Sequence, residues 1–467
     1  MDRKSFLATS ALGLGMSGLS LSGLAVNPKD VPSNPSDLKI TDIRGMVIAS
    51  NYDYPIIKIY TNQGVTGLGE VRDAGWIAQA LMMKPYLIGK NPLDIEPILK
   101  SIYHLTGNSR YGGGYSAIDI ALMDIAGKVL GVPCWQLLGR KVNDKIECYS
   151  DTPAANTYEK QAILIKRRMD VGFKHFKMDL RPRLFDGIEG CTVGGLPTLK
   201  GLEVWGESIL KIRDQIGYDV KLGADHFGRL DVNTGIALGE FMTDSKYGLA
   251  YLEDVVNFSQ FNSVGINQQI TAGSPTPTLG FEDLFGLEGF RPFIDNKAID
   301  IIHPDLLTSG GILETKKIAD YAAIFGIKTM MHNAGSPIGT MAMVHTAATN
   351  RNFIALENHA LEIPWWQDLI TGIEKPILQY GGYINVPDSP GLGIELNEEV
   401  AREHMREAKY LAYNPGVFEP TPEFDEKMSM REAREKRIIG GYHQSGGPWW
   451  HINTDNVYGN QTDPEQQ

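Results

Sequence analysis

The chain has 467 residues, 42% of them hydrophobic and 21% charged, the balance of a soluble globular protein built as one large domain and a smaller one. A formal net charge of −12 argues against a nucleic-acid partner, which needs a basic face to neutralise phosphates, but leaves a small anionic substrate open. Three cysteines, Cys134, Cys148 and Cys191, are odd in number and lack metal-ligand spacing, so neither a disulfide framework nor a zinc site is expected.

Residues 1–26 read as an export signal: Arg3 and Lys4 precede an uncharged stretch rich in Leu, Gly, Ser and Ala, and cleavage near Ala25 fits the pattern. The RKSFL opening is similar to a twin-arginine signal with one arginine replaced by lysine, which implies export of a folded protein to the periplasm. Residues 27–37 form a polar linker, and no later segment is long and apolar enough to span a bilayer, so the mature form is expected to carry no membrane contact.

From Leu38 to Thr66 the pattern is strand-like, with Asn62-Gln63-Gly64 as a hairpin turn. The clearest helix is SAIDIALMDIAGKVLG, where Ser116 can cap and Ile118, Leu122, Ile125 and Val129 form one apolar stripe. Gly131 and Pro133 stop it. Residues 38–142 therefore read as an α+β domain.

From Lys145 onward eight short β-like runs alternate with helical stretches: IECYSD, HFKMDL, VKLGAD, LAYLED, TPTLGFE, AIDIIHPD, IKTMMH and FIALEN. The last seven end near Lys177 and Asp179, then Asp225, Glu253, Glu282, Asp305, His332 and Glu357, with gaps from Asp225 onward of 28, 29, 23, 27 and 25 residues. A strand, a helix and two loops take roughly 25 to 30 residues, so this is the period of a βα unit. Eight such units close a TIM barrel, the (β/α)8 fold, over residues 143–385, and its strand ends converge on one mouth. A Gly- and Pro-rich insertion after Asp179 leaves from that mouth and is expected to cover substrate. Residues 386–413 should return to the first domain, and the extension 414–467 shows no usable periodicity.

Asp225, Glu253 and Glu282 on consecutive strand ends form a hard oxygen cluster suited to magnesium. Each alone reads equally well as a surface carboxylate; three at barrel spacing do not. Asp305 and His332 end the next two strands, so the carboxylate can fix one imidazole nitrogen and leave the other as a base. His303, two before Asp305, reads as a deeper barrel-interior hydrogen bonder, and Lys174 and His175 as solvated or packed.

These runs together, with SAIDIALMDIAGKVLGVPCWQLLG, HPDLLTSGGI and ALENHALEIPWW, make the chain resemble the enolase superfamily, in its mandelate racemase-like branch, from about Lys39 to Glu403. The resemblance implies a barrel capped by an N-terminal α+β domain that the C-terminal segment rejoins. It implies one magnesium ion per subunit on Asp225, Glu253 and Glu282, a base dyad of His332 and Asp305, and abstraction of the proton next to a carboxylate. Lys177 and Glu357 would bind that carboxylate, and a homo-oligomer is the expected assembly.

Two departures from the family pattern shape the expected reaction. Where members often carry Lys-x-Lys, this chain has Lys177-Met178-Asp179, so Asp179 takes the place of a second base and a two-base racemase loses its partner. One-face abstraction followed by loss of a β-hydroxyl fits better, the dehydration of a sugar acid to a 2-keto-3-deoxy acid. In galactonate dehydratase-like members a histidine two residues after the aspartate protonates the leaving hydroxyl. Here that position is Phe227, and His226 is adjacent, either as the acid or as a supporting hydrogen bond. Tyr52 and Tyr54, in the loop SNYDYP, are expected over the mouth, with Tyr54 and Asp179 at the substrate. The alternatives are a racemase, epimerase or cycloisomerase on the same intermediate, or a periplasmic sugar-acid-binding protein without chemistry.

Overall fold

The computed structural model describes residues 34–406, apart from 154, 156, 226–228 and 257–262. The expected export signal, most of the linker, the extension 414–467 and His226 lie outside the described residues.

The first domain is a three-stranded antiparallel sheet of β1 (Ile40–Ile48), β2 (Tyr54–Thr61) and β3 (Thr66–Glu70), followed by helix α1 (Gly113–Leu130). The β2–β3 turn places Gly64 at φ +84°, the left-handed region in which glycine carries no Cβ penalty. Helix α1 begins at Gly113, so Ser116 does not cap it. The Ser116 hydroxyl instead donates to Gly112 O (3.2 Å) and accepts from Gly310 N (3.1 Å). Nor does the helix present one stripe: nearly every residue from Gly113 to Val129 is buried, because α1 lies between β3 and the barrel helices and needs apolar or small residues all round.

Eight parallel strands close the barrel: β4 (Lys145–Asp151), β5 (His175–Asp179), β6 (Lys221–Asp225), β7 (Leu249–Glu253), β8 (Thr278–Gly280), β9 (Ile301–Ile302), β10 (Lys328–Met331) and β11 (Phe353–Asn358), which pairs back onto β4. Side chains alternate across each strand. Phe176, Met178, Leu222, Ala224, Leu252 and Leu356 face outward into the layer of helices. Tyr149, Tyr251, Leu279, Met330 and Ala355 face inward and fill the barrel. Gly223 makes this filling possible, since a Cβ there would lie 2.1 Å from Tyr251 Cζ.

Two carboxylates fasten the first domain to the barrel, and a third ties it to the chain beyond. Glu70 accepts from Ser336 N (2.8 Å), Ser336 Oγ (2.5 Å) and Gly339 N (2.8 Å), the N-terminus of α3 (Pro337–Ala348), the helix that follows β10. Asp119 accepts from Ile312 N and Leu313 N at the start of α2 (Gly311–Ile324), which follows β9. Both helix ends leave N–H groups without an internal partner, and an anion there also meets the positive end of the helix dipole. Asp124 accepts from Leu68 N (3.0 Å) and Leu392 N (2.8 Å), tying in the chain beyond the barrel, which runs on until Arg406 pairs with Asp53.

Candidate active site at the barrel mouth

Parallel strands deliver their C-terminal residues to one end, and that end collects the charged groups. On β5, Lys177 is 4% exposed, with its ammonium 2.7 Å from Glu357, 3.1 Å from Glu253 and 3.7 Å from Asp225. Asp225 and Glu253 stand opposite each other in the β6–β7 register. Glu253, Glu282 and His303 bring one donor atom each within 4.8 Å of one another.

Asp305 and His332 bridge between adjacent strand ends, with His332 Nδ1 2.5 Å from Asp305 Oδ2. Because the aspartate occupies Nδ1, Nε2 is the nitrogen left to face the mouth. It lies 3.2 Å from Glu282 and 3.9 Å from Glu357. Below them, the Tyr149 hydroxyl contacts Glu357 (2.8 Å) and His303 Nε2 (2.7 Å), while His303 Nδ1 lies 3.1 Å from Glu253. His303 is thus a fully buried brace between two strand-end carboxylates. His175 is packed between Tyr149 and Tyr251.

The electrostatics follow from burial and like charge. Burial and the neighbouring Glu253 push Asp225 well above the usual carboxylate range, and burial lifts Glu253 to about 8 against the pull of Lys177. Burial would also raise Glu282, but His332 and Arg72 outweigh it and hold its carboxyl down. Burial disfavours the His332 imidazolium, yet Glu282 and Glu357 dominate and raise it to about 10.

Asp225 and Glu253, crowded in a shielded mouth, retain protons unless a cation balances them, and oxygen donors of this kind suit a hard divalent ion. Glu253 and Glu282, grouped with His303, could hold such an ion, and Asp225 stands beside them opposite Glu253. A cation there would also screen the field that raises His332, bringing the base down toward neutral pH.

Asp179 faces the mouth but is ion-paired to Arg181, and burial lifts its carboxyl to about 6 despite that partner. Tyr54 does not reach the mouth. It is the first residue of β2, and strand alternation turns its ring into the core, where it is 0% exposed and its hydroxyl meets Asn51 Oδ1 at 3.3 Å. Tyr52, outside the strand, is the tyrosine at the mouth, its ring edge-on to His359 at 5.5 Å. Trp366 is buried and donates to Gly335 O (3.3 Å), while Trp365 stacks on His404.

Two functional candidates escaped the sequence reading. Arg72, just beyond β3, is buried where the first domain meets the barrel's strand ends, with Glu282 and Asp305 each 2.9 Å away and Asp73 at 2.7 Å. No local pattern announces it, because its partners lie in the other domain. His359 is 3.2 Å from Glu357 and 3.6 Å from Asp151. Its spacing of two from Glu357, which puts both on one strand face, was a usable signal.

Residues 40–139 match the N-terminal domain of mandelate racemase / muconate lactonizing enzyme, and residues 160–400 match the enolase C-terminal domain-like family. The D-xylonate dehydratase of Haloferax volcanii is 31% identical over 80% of this chain and 91% of its own length. A D-galactonate dehydratase family member of Musicola paradisiaca is 30% identical over 79% and 94%. Among solved structures, a mandelate racemase/muconate lactonizing enzyme-like protein from Rubrobacter xylanophilus superposes with a TM-score of 0.72 at 26% identity, over 80% of this chain and 98% of that one. Matching models over both domains, on a closed eight-stranded barrel with an antiparallel cap, place the chain in the mandelate racemase/muconate lactonizing enzyme branch of the enolase superfamily.

Proposed function

We propose that the chain is a magnesium-dependent dehydratase of a sugar acid, converting a 2,3-dihydroxy carboxylate to its 2-keto-3-deoxy product. The observation that carries the reading is the Asp305–His332 pair, which turns Nε2 toward a mouth lined by Lys177, Glu357 and the carboxylates of β6 to β8. The two dehydratase relatives support it.

Lys177 orients the substrate carboxylate, and Glu357 holds the Lys177 ammonium in place at 2.7 Å. Asp305 fixes the His332 tautomer so that Nε2 takes the α-proton, a step in which a positioned base contributes roughly 10²- to 10⁴-fold. Asp225, Glu253 and Glu282 would hold a divalent ion, which when bound would supply Lewis-acid stabilisation of developing negative charge, worth several kcal/mol. Asp179 is paired with Arg181 and the Lys177 ammonium is held protonated by Glu253 and Glu357, which disfavours a second base on the opposite face and favours one-face elimination over racemisation.

Incubation with a library of sugar acids in D₂O with magnesium tests the assignment. Loss of the α-proton signal together with a 2-keto product is the expected result. Exchange without a keto product identifies an epimerase, and no change with any acid identifies a binding protein.

The reading extends to location and assembly: export of the folded chain by the signal in residues 1–26, and a homo-oligomer in solution. Cell fractionation with and without residues 1–26 tests the first, and light scattering tests the second.

A further inference from the structure

We propose that His359 is the general acid that protonates the departing β-hydroxyl, so that the mouth carries two histidines with opposite duties. The inference rests on the dehydratase reading above and adds a residue to it. Removal of the α-proton needs a base, but hydroxide is a poor leaving group, so the second half of the reaction needs a proton donor close to the base and able to reach the same substrate.

His359 meets that requirement by position. It lies two residues past Glu357 on the face that lines the mouth, and its ring centroid is 6.4 Å from that of His332. Its side chain is 12% exposed, enough to touch a bound molecule. Proton supply follows from what surrounds it. Asp151 on β4 lies 3.6 Å from Nδ1, Glu357 near the end of β11 lies 3.2 Å from Nε2, and the Tyr52 ring stands edge-on from the first domain. Burial opposes the imidazolium and Lys177 adds to that opposition, yet Asp151 and Glu357 dominate and raise the group above its ordinary value. His332, with a carboxylate fixing its Nδ1, is set up to receive a proton; His359, between two carboxylates, is set up to hold one.

The step balances. His332 Nε2 takes the C2 proton and the C2–H electron pair moves onto the substrate carboxylate, giving an enediolate that either recovers a proton or returns the pair to form the C2=C3 bond. The C3–O bond breaks with its electrons on oxygen, and that oxygen leaves as water carrying the His359 proton. Ketonisation of the enol moves one proton from its hydroxyl to C3, and exchange with solvent resets both histidines. No oxidant or reductant is needed.

The test uses the full chain with magnesium, in D₂O, on an acid that the wild type dehydrates. In His359→Gln the 2-keto product should form about 10²-fold or more slowly, while α-proton exchange in recovered substrate stays within about threefold of wild type. The 3-deoxy-3-fluoro analogue, whose fluoride leaves without a proton, should lose fluoride at near wild-type rate in the variant. Asp151→Asn, a second and milder change, should move the alkaline limb of product formation to lower pH without moving that of exchange. Equal loss of exchange and product in His359→Gln, or unchanged product formation, overturns the assignment. So does the same split appearing in His226→Gln while His359→Gln is normal, which would put the donor after β6. If the wild type dehydrates no acid at all, the dehydratase reading itself fails, a result distinct from any of these.

Discussion

Arg72 of the first domain lies 2.9 Å from Asp305 of the barrel, on the same carboxylate oxygen that meets His332 Nδ1 at 2.5 Å. The dyad is therefore a three-member chain whose third member comes from another domain. Removing one partner of a buried ion pair strands the others, so Arg72→Ala should destabilise the protein by about 3–5 kcal/mol. Arg72→Lys keeps the charge but loses the planar fork that spans Glu282, Asp305 and Asp73. It should fold and lose roughly 10- to 100-fold in turnover, the usual effect of disturbing a residue that holds site groups in place. Denaturant titration and steady-state kinetics check both, and full activity in Arg72→Ala would refute the role.

His332→Asn should abolish product formation and α-proton exchange together, because both need the same abstraction. Loss of its hydrogen bond should cost stability by only about 1–3 kcal/mol. Asp305→Asn should do the same more mildly by mis-setting the tautomer. Continued exchange in His332→Asn would move the base to the other face, at Lys177 or Asp179.

Magnesium affinity should rise with pH. Glu253 titrates at about 8 and Asp225 is also raised by burial, so below that pH the ion must displace protons. Affinity should climb by up to about tenfold per pH unit between 6 and 8 and level off above. Calorimetry in two buffers of different ionisation enthalpy should show about one to two protons released at pH 7. Affinity that is flat from pH 6 to 9 contradicts the assignment. Glu253→Gln should weaken binding and stop turnover without unfolding the chain.

Glu70→Gln tests the fastening of the first domain. The amide cannot accept from both Ser336 and Gly339 as the carboxylate does, and it no longer balances the start of α3. The expected cost is about 1–3 kcal/mol, read as a lower midpoint in thermal or urea unfolding. An unchanged midpoint would show that the contact contributes nothing net.

The barrel was legible from its period because each βα unit repeats the same length and ends in a charged group. That same repetition brought out Asp225, Glu253, Glu282, Asp305, His332 and Glu357. Tyr54 was misplaced because the exit of a loop and the first residue of a strand look alike in sequence, and only the strand's phase decides where the ring goes. Ser116 was misread as a cap because α1 starts in a glycine pair, which carries no helix signal of its own. Arg72 was invisible for a different reason: its meaning depends on docking between domains, and no local pattern encodes that.

The docking of Arg72 also imposes an order in time. During synthesis Arg72 and Asp73 leave the ribosome long before Glu282 and Asp305, an interval of roughly 10 to 50 seconds at ordinary elongation rates. Until then the arginine has only Asp73 and water, so the nascent first domain must hold its future barrel-facing surface open and hydrated. The dyad's charge balance is complete only after the sixth strand has emerged, so a truncated product ending before Glu282 leaves Arg72 with Asp73 but without the barrel carboxylates that bury it in the full-length protein.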